Sequence, residues 1–266
     1  MHKVASTRIY FTLCALFSLA AFGCDSSSGE DDDPMPPATG GTGGGGNSTG
    51  EMLANCETPS AGDPTVHDGY FKHPGTGWEL AWFTYSDNAE AMTAGKALGT
   101  ITPTEGQPFK CIQDADPARS WVFNAKGGPF SVWGAGMGFN MQIMAAPTPP
   151  VAVDLTTYKG IRFYAKVGAT TTGPVRVKVV DAQTTPTARG GTCTGTMGAC
   201  DNNFGYVLTT ISADWQQFSV TWDQMKQETW ASQKFTAAEV SKVLGFQFQV
   251  GKTSFDYSVD DFELIK

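Results

Sequence analysis

The chain has 266 residues, with 26 acidic against 18 basic side chains and a formal net charge of -8 at pH 7. An acidic surface repels a phosphate backbone, so we expect no nucleic-acid partner. The 3 histidines disfavour histidine catalysis and histidine-based zinc sites, and the 31 glycines and 15 prolines favour strands and turns over long helices.

The N-terminus has the layout of a bacterial lipoprotein signal. A short basic start precedes residues 9–22, an apolar run that is too short to span a bilayer, for which about 20 residues are needed. Gly23 and Cys24 follow at once, as in a lipobox, whose cysteine is lipidated and becomes the first residue of the mature chain. We therefore predict a signal peptide over residues 1–23 and an exported, membrane-anchored protein. The alternative is ordinary secretion with cleavage near Gly23.

Residues 24–50 have the composition of a tether. The segment contains three consecutive aspartates, several prolines and a run of glycines. Such a sequence cannot bury a hydrophobic core, so no secondary structure is predicted for it. We expect the lipid on Cys24 to be the sole contact with a membrane, and residues 51–266 to form one folded domain.

The cysteine count predicts two disulfides. Cys14 leaves with the signal and Cys24 takes the lipid, so four cysteines remain in an exported domain, where disulfides form. They are Cys56, Cys111, Cys193 and Cys200. Of the three possible pairings we favour the one that joins the last two, because they flank a short Gly/Thr segment, and this leaves the first two for each other. A zinc site is disfavoured because no CxxC spacing occurs.

Strand signals with a period of two recur through the domain. In residues 161–167 the apolar side chains occupy one face, and Arg162, Tyr164 and Lys166 occupy the other. Further strands are predicted at residues 79–85, 139–144, 175–179, 206–210, 216–222, 246–250 and 258–265. Strands that are apolar on one face and polar on the other predict two antiparallel sheets packed face to face around one core.

The strongest helix signal is a capping box at residues 236–239, with the sequence TAAE. The segment runs on to Leu244, and Gly245 has the position of a helix stop. We therefore expect one short helix across one end of an otherwise all-β sandwich.

Six short motifs, taken in order, resemble a known family. They are WGAGMGF at residues 133–139, YKGIRFYA at 158–165, the cysteine-closed loop at 181–205, WQQFSV at 215–220, FQFQ at 246–249 and VDDF at 259–262. Their order and spacing are similar to those of the jelly-roll, carbohydrate-binding-module-like domains of myxobacterial and related lipoproteins. The resemblance covers residues 120–266 well and residues 51–119 weakly.

The resemblance implies a galactose-binding-like jelly-roll β-sandwich that binds a polysaccharide or glycan without cleaving it. It also implies a structural Ca²⁺ held by Asp260 and Asp261, since Ca²⁺ takes oxygen ligands. Many relatives complete that site with an acidic opening strand, and this chain has residues 66–71, VHDGYF, instead, which puts the calcium in question. The alternative role of the two acids is to accept backbone hydrogen bonds where strands cross.

The expected glycan contacts are aromatic rings that pack on the C–H face of a pyranose, with amides and charged groups for its hydroxyls. The predicted contact residues are Trp82, Tyr85, Trp133, Arg162, Tyr164, Gln247 and Gln249. If strands 161–167 and 246–250 are neighbours, Tyr164 and the two glutamines form one band. The competing interpretation places most tryptophans in the core and the basic strand residues on a solvated face.

Signals for catalysis and for a metal pair are weak. His67 and His73 lie six residues apart with no clear third ligand, and neither GxSxG nor HExxH occurs. A glycosidase needs two carboxyls facing each other across a cleft, with Glu79, Asp181 and Asp256 as candidates. We therefore expect no enzyme. The two alternatives are a glycan-cleaving enzyme on the same scaffold and an envelope or adhesion protein that binds another protein.

Overall fold

A computed structural model describes residues 50–57, 67–142, 149–195 and 198–266. The predicted signal peptide, the predicted lipidation site Cys24 and nearly all of the predicted tether lie outside these ranges. Within them, no helix is both long enough and apolar enough to cross a bilayer. The described residues belong to one compact unit, residues 48–266.

The described residues form thirteen strands and one short α-helix. In chain order these are β1 (Gly50–Ala54), β2 (Tyr70–Lys72), β3 (Glu79–Ser86), α1 (Asn88–Thr93), β4 (Ile101–Thr102), β5 (Ile112–Gln113), β6 (Trp121–Gly127), β7 (Ala135–Asn140), β8 (Gly160–Val167), β9 (Val175–Asp181), β10 (Phe204–Leu208), β11 (Gln216–Thr221), β12 (Val243–Val250) and β13 (Phe255–Ile265). Every predicted strand has a counterpart, although the strand predicted at residues 139–144 shares only residues 139–140 with β7. Residues 141–142 form a bend, and residues 143–144 lie outside the described ranges.

The strands pair in two antiparallel sheets. The first sheet has the order β11-β8-β13-β6-β4, with β1 paired to β13 and β5 to β6. The second sheet has the order β10-β9-β12-β7-β3-β2. From β6 to β13 the chain passes back and forth between the sheets, so strands that follow each other in sequence often lie in opposite layers. The predicted all-β jelly-roll sandwich is therefore confirmed.

The core lies between the two sheets and is rich in aromatic side chains. Ile161, Phe163 and Ala165 of β8 point into it, as their alternation predicts, and each is fully buried. Phe246 and Phe248 of β12 are buried from the second sheet, and the ring centroids of Phe163 and Phe248 are 5.1 Å apart. Each large side chain buried in this way contributes about 1.5–3 kcal/mol.

Tyr257 of β13 links the two sheets through its buried hydroxyl. The hydroxyl donates to the Phe248 carbonyl oxygen (2.7 Å) and accepts from the Met137 amide (2.9 Å). Met137 and Phe248 are register partners on β7 and β12, so the hydroxyl is inserted into the ladder of the second sheet. Burial raises the pKa of Tyr257 far above its ordinary value, and the hydroxyl therefore stays neutral.

The helix predicted at residues 236–244 is wrong. This segment forms a bend and a short 3-10 turn, and β12 begins at Val243. Val243 exchanges two backbone hydrogen bonds with Val153 (2.8 and 2.9 Å), and the Glu239 amide donates to Asp181 Oδ2 (2.8 Å). These tertiary bonds replace the ones that a helix would make.

Gly245 is therefore a strand residue rather than a helix stop. A Cβ at this position would lie 2.3 Å from the carbonyl oxygen of Phe139 on β7, so the close approach of two strands requires glycine. The described α-helix is α1, at Asn88–Thr93, where the sequence analysis did not place one.

Both predicted disulfides are confirmed. Cys56 joins Cys111 across a separation of 55 residues, and Cys193 joins Cys200 across 7. The first bond ties the end of β1 to the segment before β5, and the second closes a loop between β9 and β10. Structural disulfides of this kind persist in oxidising compartments and are typical of exported proteins.

Candidate functional site

The outer face of the second sheet combines aromatic, amide and basic side chains in two cross-strand rows. One row is Tyr85, Gly136, Gln249, Arg176 and Val207, and the other is Phe83, Gly138, Gln247, Lys178 and Gly205. Their neighbours along the strands, such as Phe248 and Met137, are fully buried in the core. Each row therefore runs from an aromatic ring on β3, over a glycine on β7, to an amide on β12 and a basic group on β9.

The two glycines of β7 let side chains of the neighbouring strands lie flat on this face. A Cβ at Gly136 would lie 2.7 Å from Tyr85 Oη, and a Cβ at Gly138 would lie 2.9 Å from Gln247 Cγ. Tyr85 is half-buried, and burial raises the pKa of its hydroxyl well above the ordinary value. Its ring lies beside Trp133, with the centroids 6.0 Å apart and 26° between the planes.

Asp87 fixes the loop that carries Trp133. Its buried Oδ2 accepts hydrogen bonds from the amides of Val132, Trp133 and Gly134 at 2.7, 2.7 and 2.8 Å. The Asp87 amide donates in turn to the Gly134 carbonyl oxygen (2.9 Å). The indole beside Tyr85 is therefore held by a rigid loop before any ligand arrives, which reduces the entropic cost of binding.

Gln249 connects the aromatic end of its row to the basic end. Its side-chain amide donates to the Trp133 carbonyl oxygen (3.5 Å), and its Oε1 accepts a hydrogen bond from Lys178 Nζ. Gln247 and Gln249 are both half-buried. Amide groups in this position can donate to and accept from hydroxyl groups of a bound molecule.

The basic groups of the face are largely buried beside a loop. The side chains of Arg176 and Lys178 are 16% and 6% exposed, so the prediction of a solvated basic face is wrong for Lys178. Glu228 Oε2 lies 4.0 Å from Arg176 Nε and 3.9 Å from Lys178 Nζ. Burial lowers the pKa of Lys178 to about 8, and the charge of Glu228 opposes that shift.

Arg162 and Tyr164 lie on the opposite side of the molecule from the two glutamines. Their strand, β8, belongs to the first sheet, whereas Gln247 and Gln249 are on β12 of the second sheet. The predicted band that joins Tyr164 to the glutamines is therefore wrong. Arg162 donates to Glu263 (2.9 Å from Nε), and the guanidinium of Arg119 lies 3.5 Å from the ring centroid of Tyr164.

Trp82 is a core residue and not a surface platform. It is 4% exposed, and its ring stacks on Phe123 with the centroids 3.9 Å apart and 13° between the planes. Trp82 lies on the inward face of β3, between the outward Ala81 and Phe83. The prediction that it contacts a glycan is therefore wrong. The competing interpretation placed four other tryptophans in the core, and each of them is partly exposed. They are Trp121, Trp133, Trp215 and Trp222.

Asp260 is an unusual buried carboxyl on the first sheet. It is 0% exposed, and neither of its oxygens has a partner with hydrogen-bond geometry. Burial, with a further contribution from the Asp261 charge, raises the pKa of Asp260 to about 7, and the nearby backbone amides of Asp261 and Cys56 oppose that shift only in part. Asp261 differs, because its Oδ1 accepts from Asn55 (2.6 Å) and its Oδ2 lies 3.6 Å from Arg119 Nη2.

The two acids fit the predicted calcium site unequally. Ca²⁺ binds about 6–8 oxygens, and Asp260 has unbonded oxygens to offer, whereas Asp261 is already bound to an amide and a guanidinium. In the described part of the chain, no group of three or more His, Cys, Asp or Glu side chains is arranged to hold a metal ion. The calcium therefore stays a prediction, and Asp260 is its one suitable side-chain ligand.

The three acids considered for a glycosidase do not share a face. Glu79 lies at the edge of the second sheet, 3.3 Å from Lys72 Nζ. Asp181 is fully buried and accepts from the amides of Thr184 (3.0 Å) and Glu239 (2.8 Å). Asp256 belongs to β13 of the first sheet. This arrangement does not place two of these carboxyls across one cleft.

The two histidines make contacts within the fold. His67 stacks on Trp121, with the ring centroids 4.1 Å apart and 7° between the planes. His73 is buried, with Nε2 3.6 Å from Glu51 Oε1. The two rings thus pack against different partners rather than facing a shared metal position.

A cleft of about 490 Å³, lined by both polar and apolar side chains, lies on the outer side of the first sheet. Its lining includes Asp114, Asn124, Lys166, Asp256 and Ser258. Lys166 Nζ is 2.5 Å from Asp114 Oδ2, and Asn124 Nδ2 donates to Asp256 Oδ1 (2.9 Å). Because these groups bind one another, the cleft has fewer polar groups left for a ligand than its composition indicates.

Several residues of the second-sheet face were missed by sequence reasoning. Phe83 was recoverable, because it is two positions from Tyr85 and therefore on the same side of β3. Asp87 and Glu228 come to the face through loop packing, and no local pattern marks them.

Comparison with known proteins gives structural likeness without a sequence match. No protein-family profile and no curated protein matches the chain. Family 11 carbohydrate-binding modules of Clostridium thermocellum are similar in structure. One, solved with a β-1,3-1,4-mixed-linked tetrasaccharide, has a TM-score of 0.46 and 12% identity over 74% of this chain and 95% of that chain. One from a cellulosomal cellulase has a TM-score of 0.44 and 11% identity over 75% and 95%.

An exo-β-agarase is also similar in part. It has a TM-score of 0.39 and 10% identity, and the match covers 80% of this chain and 25% of that chain. At these identities the likeness concerns the β-sandwich alone, and the chemistry of the face has to be argued from its own residues.

Proposed function

We propose that the outer face of the second sheet binds a polysaccharide or glycan and that the protein does not cleave it. One observation carries this proposal: the rings of Tyr85 and Trp133 lie side by side, the Gln249 amide donates to the Trp133 carbonyl oxygen, and Gly136 places no side chain between Tyr85 and Gln249. A pyranose presents C–H groups to an aromatic ring and hydroxyls to amides, so this arrangement suits both sides of a sugar.

The positions of the acids support binding without cleavage. Glycoside hydrolysis uses a pair of carboxyls about 5–9.5 Å apart on either side of the scissile bond. Glu79, Asp181 and Asp256 lie at a sheet edge, in the interior and on the other sheet. Glu228, which borders the proposed face, lies within ion-pair distance of two basic side chains.

Replacing Trp133 by alanine is expected to weaken glycan binding by at least about 10-fold, which corresponds to about 1.4 kcal/mol. The physical reason is the loss of the exposed part of the indole from a loop that Asp87 holds in place. The measurement is isothermal titration calorimetry with glycans selected from an array or an insoluble-polysaccharide pull-down, where we expect micromolar affinity for the unmodified protein.

Tyr164→Ala is the matched control, because it removes an aromatic side chain from the outer face of the other sheet. It is expected to keep the affinity of the unmodified protein. Equal losses in both variants, or a loss in Tyr164→Ala alone, would place the ligand elsewhere. No binding to any glycan would contradict the proposed function and favour a protein partner.

We also propose that the protein is exported and anchored by a lipid on Cys24. The two disulfides support an oxidising compartment, and the apolar run that ends at Cys24 supports lipidation. Labelled palmitate should enter the protein in bacterial cells, and Cys24→Ala should abolish the label. Incorporation into the variant at the same level would contradict the anchor.

A further inference from the structure

We propose that the glycan is acidic and that its carboxylate or sulfate group binds between Arg176 and Lys178, in the position that Glu228 occupies in this structure. This inference rests on the proposed function, because it names the chemical class of ligand for the same face. The two basic residues are successive outward positions of β9, and they lie beside Gln249 and Gln247 in the cross-strand rows.

The first step is that both positive charges are largely removed from water. The side chain of Lys178 is 6% exposed and that of Arg176 is 16% exposed. Burying a charge is costly unless a partner of opposite charge compensates for it. Two buried cations on one strand therefore call for negative charge beside them.

The second step is that Glu228 compensates incompletely. Its Oε2 lies 4.0 Å from Arg176 Nε and 3.9 Å from Lys178 Nζ, which is beyond hydrogen-bond distance for either nitrogen. Arg176 Nε is buried and has no hydrogen-bond partner. Arg176 Nη2 donates to the Lys226 carbonyl oxygen and Lys178 Nζ to Gln249 Oε1, while the charge of Asp201 acts on Lys178 without forming an ion pair. Neither cation thus has a direct bond to a carboxylate, and Arg176 Nε is left for another oxygen.

The third step is that Glu228 can be displaced. Its side chain is 39% exposed, and its backbone is held independently, since its amide donates to Asn202 Oδ1 (2.9 Å) and its carbonyl accepts from Asn202 Nδ2 (2.7 Å). The side chain can therefore move aside without unfolding the loop. A ligand carboxylate or sulfate offers the same chemistry as the side chain that it replaces.

The ammonium of Lys178 also supplies a pH dependence. Burial and, to a smaller extent, the charge of Arg176 lower its pKa to about 8, and the charges of Glu228 and Asp201 oppose the shift. The group is therefore mostly charged at pH 7 and loses its charge above pH 8. A bound anion is stabilised by the charged form. Affinity for acidic glycans is therefore expected to fall as the pH rises through about 8, and affinity for neutral glycans is expected to change little across the same range.

The test compares acidic glycans with matched neutral ones by calorimetry. The pairs are polygalacturonate and its methyl ester, glucuronoxylan and its carboxyl-reduced form, and a sulfated galactan and agarose. We expect at least a 10-fold preference for the charged member of one pair, declining with added salt. A preference in the uronate pairs assigns a carboxylate, and a preference in the galactan pair assigns a sulfate.

Two variants and a control test the position of the anion. Glu228→Gln removes the competing carboxylate from an exposed side chain and is expected to raise the ratio of acidic to neutral affinity several-fold. Lys178→Met is expected to lower that ratio by at least 10-fold. Lys126→Met, which removes an exposed lysine from the first sheet, is the control for net charge and should leave the ratio unchanged.

Two outcomes would overturn the inference. Binding of neutral glycans as tightly as their charged partners, with no change in Glu228→Gln, would remove the acidic ligand while leaving the proposed function in place. Absence of binding to every glycan would remove both. Thermal unfolding of each variant verifies that it folds, and Glu228→Gln keeps the test valid if Lys178→Met does not.

Discussion

Replacing Cys56 and Cys111 together by alanine is expected to lower the free energy of unfolding by about 4 kcal/mol. The bond closes a loop with a separation of 55 residues, and the entropy that such a crosslink removes from the unfolded chain grows with loop length. The measurement is urea unfolding of the oxidised protein and of the double variant, followed by tryptophan fluorescence.

The second disulfide provides the control for this prediction. Cys193 and Cys200 are separated by 7 residues, so removal of their bond is expected to cost less, roughly 2.5 kcal/mol. The difference between the two double variants reports loop closure, since each removes one disulfide. An equal cost in the two variants, or a larger cost for the shorter loop, would contradict the entropic explanation.

Asp260→Asn is expected to stabilise the protein at neutral pH in calcium-free buffer, by on the order of 4 kcal/mol at most. The wild-type carboxyl is buried, the backbone amides of Asp261 and Cys56 offset its burial only in part, and its pKa is raised from 3.8 to about 7. Ionising it in the folded state is costly, and asparagine has no charge to bury.

The sign of the pH dependence follows from that raised pKa. Between about pH 4 and pH 7 the unfolded chain has lost this proton while the folded chain retains it, so the contribution to stability is full below pH 4 and is lost as the pH rises through 7. The free energy of unfolding in urea should therefore be lower for the wild type than for Asp260→Asn at pH 7.5, and this difference should be absent at pH 4. A constant difference between the two proteins would contradict the raised pKa.

Bound calcium is expected to reverse the difference in stability between the wild type and Asp260→Asn. A bound cation would hold Asp260 in its ionised form, so millimolar CaCl₂ at pH 7.5 should stabilise the wild type and leave Asp260→Asn unchanged. No stabilisation of the wild type by calcium would remove the predicted site and leave Asp260 as a protonated core residue near neutral pH. The same experiment thus tests the calcium prediction and the titration separately.

The strands were predictable from sequence because their alternation is strong. The inward positions of β8 and the glutamines between the phenylalanines of β12 indicate the buried and outward faces without any knowledge of partners. The disulfide pairing was also predictable, because four cysteines allow three pairings and two of the four flank a short Gly/Thr segment. These features depend on local pattern and composition.

The assignment of strands to sheets was not predictable from the same signals. Alternation marks which side of β8 faces outward, but Tyr164 and Gln247 have equivalent patterns and lie on opposite sheets. Trp82 and Tyr85 are three positions apart on β3, so alternation places them on opposite faces, but their residue types do not indicate which of the two faces the core. The helix predicted at residues 236–244 does not form, because long-range hydrogen bonds to Asp181 and Val153 compete with its capping box.

The glycan is expected to bind the outer face of the second sheet. This binding site is tested most directly by mapping the chemical-shift changes of backbone amides during a glycan titration. We predict that the largest shifts fall on β7 and β12, at Gly136, Gly138, Gln247 and Gln249, with the Trp133 indole signal. The amides of Arg162, Tyr164 and Lys166 on the first sheet should move little. Shifts confined to the first sheet would contradict this assignment, and a saturable pattern on the second sheet would establish it.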